Sequence, residues 1–235
     1  MMEHGLAGVR TLTFDMFGTV LDLSGTLVPA LRDSFRATGT AADAVGFWND
    51  WRARQRLEQH QDTILMLGHR GYLDSARRAL RHTLQRHGIK YEKRAALELV
   101  EAFWRLSPFE DVQEGLLRLG EEYRLVALSN GDRALLEELA GNSVRAAFHR
   151  CISVDSVGRF KPHPSVYRAA AAELECEPGE IMMVASHAFD VLGARACGYR
   201  GAYVNRYGLP YDESALLPDL EVSNFNELAD ALLGG

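Results

Sequence analysis

The 235-residue chain has only three cysteines, Cys151, Cys176 and Cys197, with no Cys-x-x-Cys pair and no Cys/His group at zinc spacing. Neither a disulfide scaffold nor a structural zinc site is therefore expected, and a reducing cytoplasm fits best. No run of about 18 uncharged apolar residues occurs, and Met1 to Arg10 has no apolar stretch behind positive charge, so neither a membrane span nor a secretory leader is expected. Basic surplus is absent too. The chain carries 26 Lys+Arg against 32 Asp+Glu, a net charge of −6 with a pI near 5.8, which argues against general nucleic-acid binding. Gly18, Gly131 and Gly193 form no dinucleotide fingerprint, and neither a P-loop nor an HExxH motif is present, so NAD, ATP and zinc-protease chemistry find no support. With 47% apolar and 25% charged residues, this is an ordinary globular chain of one large or two small domains acting on small molecules. Internal repeats and low-complexity segments are lacking.

Val9 to Phe14 is short, apolar and β-branched, and it ends at Asp15 in Phe14-Asp15-Met16-Phe17-Gly18-Thr19, as a buried strand feeding a loop would. From about Ser24 to Ser107 the spacing becomes helical. Leu27, Leu31 and Phe35 share a face, as do Leu73, Ala76, Leu80 and Leu84, and Leu97, Val100, Phe103 and Trp104 continue the pattern. Trp48, Trp51 and Trp104 are expected to pack in the core or in a lid. Beyond Pro108, helices near 112–122, 133–140, 164–174 and 188–197 alternate with strands near 124–128, 151–154, 181–185 and 201–204, and 208–218 reads as a surface loop. Such alternation implies βαβ units and a parallel sheet covered on both faces. The helical stretch then interrupts an α/β core. Asp15, Ser129-Asn130 and Asp190 all follow strand ends, where open α/β sheets bind ligands.

An Asp-x-Phe-Gly-Thr at residues 15–19, then Leu128-Ser129-Asn130-Gly131, then Lys161-Pro162, then a strand and Ser186-His187-Ala188-Phe189-Asp190 resembles the four ordered motifs of the haloacid dehalogenase superfamily. The likeness runs over nearly the whole chain, through Trp51-Arg52-Ala53-Arg54-Gln55 and Phe103-Trp104-Arg105-Leu106-Ser107-Pro108-Phe109, and is strongest to the type II (L-)2-haloacid dehalogenases. It implies a Rossmann-like parallel-sheet core of residues 1–20 and 108–235 with an all-helical cap of residues 21–107. Most of the superfamily are Mg²⁺-dependent phosphatases with a second Asp two residues after the nucleophile and a further carboxylate opening the last motif. Here those positions hold Phe17 and Ser186. Mg²⁺ requires several oxygen ligands with compensating negative charge, so neither metal nor any other cofactor is expected.

The resemblance implies that Asp15 displaces halide from C2 of an (S)-2-haloacid, forming an ester that water hydrolyses to the (R)-2-hydroxy acid. By the same likeness Arg52 and Asn130 draw off the halide, and Ser129 with the backbone of Met16 and Phe17 holds the substrate carboxylate. Lys161 neutralises the site, Asp190 partners Lys161 and the hydrolytic water, and Thr19 and Tyr167 support them. Departures are His187 where Asn is common, Ala185 for Ser, Phe17 for Tyr, and Arg56 where an apolar residue is usual. His187 is a candidate for proton handling or for shaping the substrate pocket. These departures keep open a second reading, hydrolysis of another 2-substituted carboxylate such as a strained cyclic amino acid. A phosphatase or a non-catalytic binding module are further alternatives. The expected partner is the small-molecule 2-haloacid, with no nucleic acid and no membrane, and homodimers are common in the resembled family. Residues 21–107 hold 14 basic and 10 acidic side chains, against 12 and 22 in the remainder, and a positive cap would favour entry of small carboxylates.

Overall fold

The computed structural model describes residues 6, 8–66, 68–144 and 148–234. Residues 1–5 and 7, most of the stretch in which no leader is expected, lie outside them. The chain divides into two units, residues 1–21 with 108–235, and residues 22–107. Among the described residues no helix is long and apolar enough to cross a membrane.

The first unit opens with β1 (Thr11–Phe14), buried at every position, and β2 (Leu21–Asp22) precedes the helical residues. The helices that follow are α1 (Leu23–Ala37), α2 (Ala44–Ile64), α3 (Tyr72–Arg86) and α4 (Lys93–Glu101), then a 3₁₀ turn over Ala102–Arg105 and β3 (Ser107–Pro108), which pairs with β2. Carboxylates start α1 and α2: Asp22 accepts the Gly25 N–H at 2.9 Å, and Asp43 accepts those of Val45 and Gly46 at 3.0 and 2.9 Å. Leu27, Leu31 and Phe35 are buried as their spacing predicts, and so are Ala76, Leu80 and Leu84. Leu73 is half-buried, and two positions depart further from expectation. Leu97 and Trp104 are 52% and 40% exposed, while Leu99, Val100, Ala102 and Phe103 are buried. Leu97 and Trp104 are seven residues apart, about two helical turns, and so share the outward face, while Val100 and Phe103 belong to the buried one. Trp48 and Trp51 do pack inside, and the Trp51 indole donates to the Ala76 carbonyl at 2.8 Å.

The face of α2 that meets α3 is polar yet buried: Gln55, Glu58, Gln59 and Asp62 are each at most 7% exposed. Residues of α3 answer them. Gln59 donates to Ser75 Oγ at 3.2 Å, and the Arg78 guanidinium joins Glu58 and Asp62 while its Nε donates to Asp74 at 2.8 Å. Arg54 adds a 2.8 Å bond to Glu58. Buried charge survives here because each carboxylate meets a guanidinium.

After β3 come α5 (Val112–Leu119), β4 (Arg124–Ser129), α6 (Arg133–Glu138), β5 (Arg150–Ser153), α7 (Pro164–Leu174), β6 (Ile181–Ala185), α8 (Ala188–Ala196), β7 (Arg200–Val204), β8 (Leu220–Val222) and α9 (Phe225–Leu233). The six longer strands form one parallel sheet in the order β5-β4-β1-β6-β7-β8, the α/β fold that the alternation implied. The helix expected to Ala140 is α-helical only to Glu138 and continues as a π-helical turn over Leu139–Val144. β8 and α9 had no counterpart in the sequence pattern. Because β1, β4 and β6 are parallel neighbours, with Phe14 beside Ala127 and Val184, their carboxyl ends open on one edge. Asp15, Asn130 and Ser186 are the next residues along.

Candidate active site

Asp15 is held at both ends. Its N–H donates to the Val184 carbonyl at 3.0 Å, carrying the β1–β6 pairing one residue past the strand. The chain then folds back, with the Met16 carbonyl accepting the N–H groups of Val20 and Leu21 at 3.1 and 2.8 Å. Gly18 makes this turn at φ +95°, a backbone region that favours glycine. A Cβ there would stand 2.9 Å from His187 Cε1. Thr19 Oγ1 donates to Asp15 Oδ2 at 2.8 Å and accepts the Ser186 N–H at 2.9 Å, so the end of β6 aims the hydroxyl that aims the carboxylate.

Lys161 occupies the centre. Its ammonium donates to the Leu128 carbonyl at 2.7 Å, to Asp15 Oδ1 at 3.1 Å and to Asp190 Oδ2 at 2.6 Å. Three donors meet three fixed acceptors in a side chain that is 1% exposed. The Lys161 N–H donates to Asn130 Oδ1 at 2.7 Å, which orients the Asn130 amide with its Nδ2 as the donor end. Asp190, in the first turn of α8, takes the Tyr167 hydroxyl on Oδ1 at 2.6 Å. Ser129 Oγ accepts the Gly131 N–H at 3.0 Å, and Gly131 lies so close to the Phe17 ring that a Cβ would come within 2.5 Å of it. His187 brings Nδ1 to 3.4 Å from Asp15 Oδ2.

These placements set the charges. Burial alone would push the Asp15 carboxyl up, but Lys161, His187 and Thr19 together hold it well below the usual carboxylate range. Asp190 goes the other way: burial and the neighbouring Asp15 anion outweigh Lys161 and Tyr167 and push it up to about 6. Burial opposes the Lys161 charge, but its two carboxylates raise its pKa above the ordinary lysine value. Burial, then Asp190, drives the Tyr167 phenol far up, so it remains a donor.

The structure thus joins Asp15, Thr19, Asn130, Lys161, Tyr167, His187 and Asp190 in one linked group, with Ser129 and the Met16–Phe17 turn beside it. Arg52 belongs to the other unit, on α2, where Nη1 donates to Gln55 Oε1 at 2.9 Å and to the Tyr72 hydroxyl at 3.1 Å. Three residues that support the site were not anticipated. Arg206 donates through Nε to the Thr19 carbonyl at 2.8 Å and through both terminal nitrogens to Asp111 at 2.9 Å. Tyr207 donates to the Gly18 carbonyl at 2.8 Å. Together they clamp the turn that carries Asp15. The residues present do not fit Mg²⁺: the two carboxylates already share the Lys161 ammonium, and position 186 offers a hydroxyl rather than a third carboxylate.

A family model described as haloacid dehalogenase-like hydrolase matches residues 9–198, the segment that runs from β1 through Asp15 and Lys161 to the end of α8. The chain belongs to the haloacid dehalogenase-like hydrolases. Within that family it is 32% identical to haloacetate dehalogenase H-2 of Moraxella sp. (strain B), over 91% of this chain and 93% of that protein. It is 30% identical to (S)-2-haloacid dehalogenase H-109 of Pseudomonas putida, over 96% of this chain and 98% of that protein. Among solved haloacid dehalogenase structures, the L-2-haloacid dehalogenase of Xanthobacter autotrophicus with covalently bound chloropropionic acid superposes with a TM-score of 0.82. That match has 25% identity and covers 96% of this chain and 99% of that one.

Proposed function

We propose that the protein hydrolyses the carbon–halogen bond of (S)-2-haloacids to give (R)-2-hydroxy acids through an ester on Asp15. The observation that carries this reading is the Lys161 ammonium fixed between Asp15 and Asp190. It keeps a buried carboxylate anionic, rigid and out of water, the condition a weak carboxylate nucleophile needs. Similarity over nearly the whole chain to proteins of that activity supports it.

In the first half-reaction an Asp15 oxygen attacks C2 opposite the halogen, and the C–X bond breaks with its electron pair leaving as halide. Configuration inverts. The Ser129 hydroxyl and the backbone N–H groups of Met16 and Phe17 receive the substrate carboxylate, and Lys161 offsets the charge gathered there. Asn130 Nδ2 donates to the departing halide, and Arg52 of the helical unit is assigned the same task from the family resemblance. Water then adds to Asp15 Cγ, the ester C–O bond breaks, and the carboxylate returns. One halide and one proton are released per turnover. The unpaired thiols of Cys151, Cys176 and Cys197 support a cytoplasmic enzyme.

Halide release from both enantiomers of 2-chloro- and 2-bromopropionate, in EDTA, is the test. Release from the (S) acids alone, unaffected by EDTA and reduced by about 10⁴-fold or more in Asp15→Asn, is expected. Halide release at a near wild-type rate from that variant would overturn the mechanism. Product masses from other 2-substituted carboxylates test the second reading, for which His187 beside the nucleophile is the relevant departure.

A further inference from the structure

Resting on that reading, we propose that His187 is the base of the second half-reaction and takes the proton from the water that hydrolyses the Asp15 ester. Lys161 and His187 approach different oxygens of the same carboxylate. The ammonium is on Oδ1 and the imidazole Nδ1 lies 3.4 Å from Oδ2. A water adding to Cγ on the His187 side lies within reach of Nδ1.

Asp190 is not so placed. Its Oδ2 receives Lys161 and its Oδ1 receives Tyr167, each at 2.6 Å, and the residue is 1% exposed. The ammonium bridges Asp190 and Asp15. The structure gives Asp190 the work of holding Lys161.

The neighbours of His187 hold its ring in place. Phe189 and Tyr207 flank its ring, with centroids at 5.6 and 6.0 Å, and the Cε1–Nε2 edge abuts Gly18. The Asp15 carboxylate lies beside the ring, with the Lys161 ammonium on that carboxylate's other oxygen. A general base acts through a ring nitrogen within reach of the attacking water, and Nδ1 is the nitrogen that faces the Asp15 carboxyl.

The step balances. A water proton passes to Nδ1 as the oxygen bonds to Cγ, and the bond between Cγ and the ester oxygen breaks, so that this oxygen leaves on the substrate carbon. The alkoxide takes the imidazolium proton to become the 2-hydroxy acid, and the new Asp15 carboxyl releases its proton by way of His187.

Rapid-quench halide release with (S)-2-chloropropionate and intact-protein mass measurement test this in His187→Gln and His187→Asn. Each variant is expected to release about one equivalent of halide per site and then stall. Its mass should rise by a carboxyethyl group, and steady turnover should fall about 10²- to 10⁴-fold. Asp190→Asn, which disturbs Lys161, is expected to lose the burst and to form no adduct. Near wild-type turnover in the His187 variants overturns the proposal. So does loss of their burst without adduct, which would make His187 only an orienter of Asp15, and so does adduct accumulation in Asp190→Asn alone. Absence of halide from the wild-type enzyme overturns the dehalogenase reading and this proposal with it.

Discussion

A lysine surrounded on three sides governs the candidate site. The Lys161 ammonium spends its donors on Leu128, Asp15 and Asp190, so it can neither rotate away nor be replaced by a longer-range charge. Lys161→Met should abolish halide release and, by leaving two buried carboxylates together, destabilise the fold by about 3–5 kcal/mol at neutral pH. Both carboxyls would then have folded pKa values above their unfolded ones, so the deficit vanishes below pH ~4 and grows as pH rises. Urea midpoints at pH 7 and pH 5 check the sign, and a larger loss at pH 5 would contradict it. At this scale much was legible. Asp15, Lys161 and Asp190 stand out because together they match the ordered motifs of the resembled family, Asp15 and Asp190 after strand ends and Lys161 ahead of a helix, and His187 stood out as a departure. Arg206 and Asp111 did not, since Arg206 reaches Thr19 from 187 positions away and Asp111 from 95, and nothing local marks an arginine as a clamp.

Among the elements, α2 shows where pattern reading inverts. Gln55, Glu58, Gln59 and Asp62 recur at helical spacing, which normally marks a solvated stripe, yet this stripe is buried against α3 and neutralised through Arg78. Period was visible in the sequence; the side facing the interior was not, because it depends on a cation in another helix. Arg78→Ala strips Glu58 and Asp62 of the guanidinium they share and should cost about 3–5 kcal/mol, with Arg78→Lys recovering part of it. Thermal melts of both variants decide this, and unchanged melting in Arg78→Ala would show that the stripe does not depend on this guanidinium. The start of α9 is marked by its cap rather than by apolar spacing. Asn224 accepts the Glu227 N–H at 2.9 Å and its amide donates to the Glu227 carboxylate at 3.0 Å, a cap that Asn-x-x-Glu before Leu228 advertises. β8, three residues long and only partly buried, offers no comparable pattern.

For the whole molecule, opposite shifts separate activity from stability in pH. Asp15, Asp74 and Asp111 all lie below the ordinary value, each against the push of burial and through adjacent cations and hydrogen-bond donors. Their stabilisation is complete above the unfolded pKa near 4 and is lost as pH falls further. Asp190, raised to about 6, acts in reverse: its contribution is full below pH ~4 and disappears as pH climbs through about 6. Protonating Asp190 also turns the undivided Lys161 charge onto Asp15 and dulls the nucleophile. The halide burst should therefore decline below pH ~6 while the melting temperature holds until pH ~4. Burst rates and melts on the same pH series check this, and parallel loss of both would refute it. The α/β class and the helical interruption were legible at this scale because strand–helix alternation gives way to purely helical spacing over a long stretch.

The position of β1 has a consequence for synthesis of the chain. The strand that presents Asp15 is made before both of its neighbours, since Thr11 pairs with Arg124 on one side and Ile181 on the other. The helices of residues 22–107 draw on one contiguous stretch. On a ribosome they can close while β1 still has neither neighbour. The nucleophile thus waits, unpaired and unarmed, until the chain has emerged past Ile181, and a fragment that ends before Lys161 carries Asp15 without the lysine that makes it reactive.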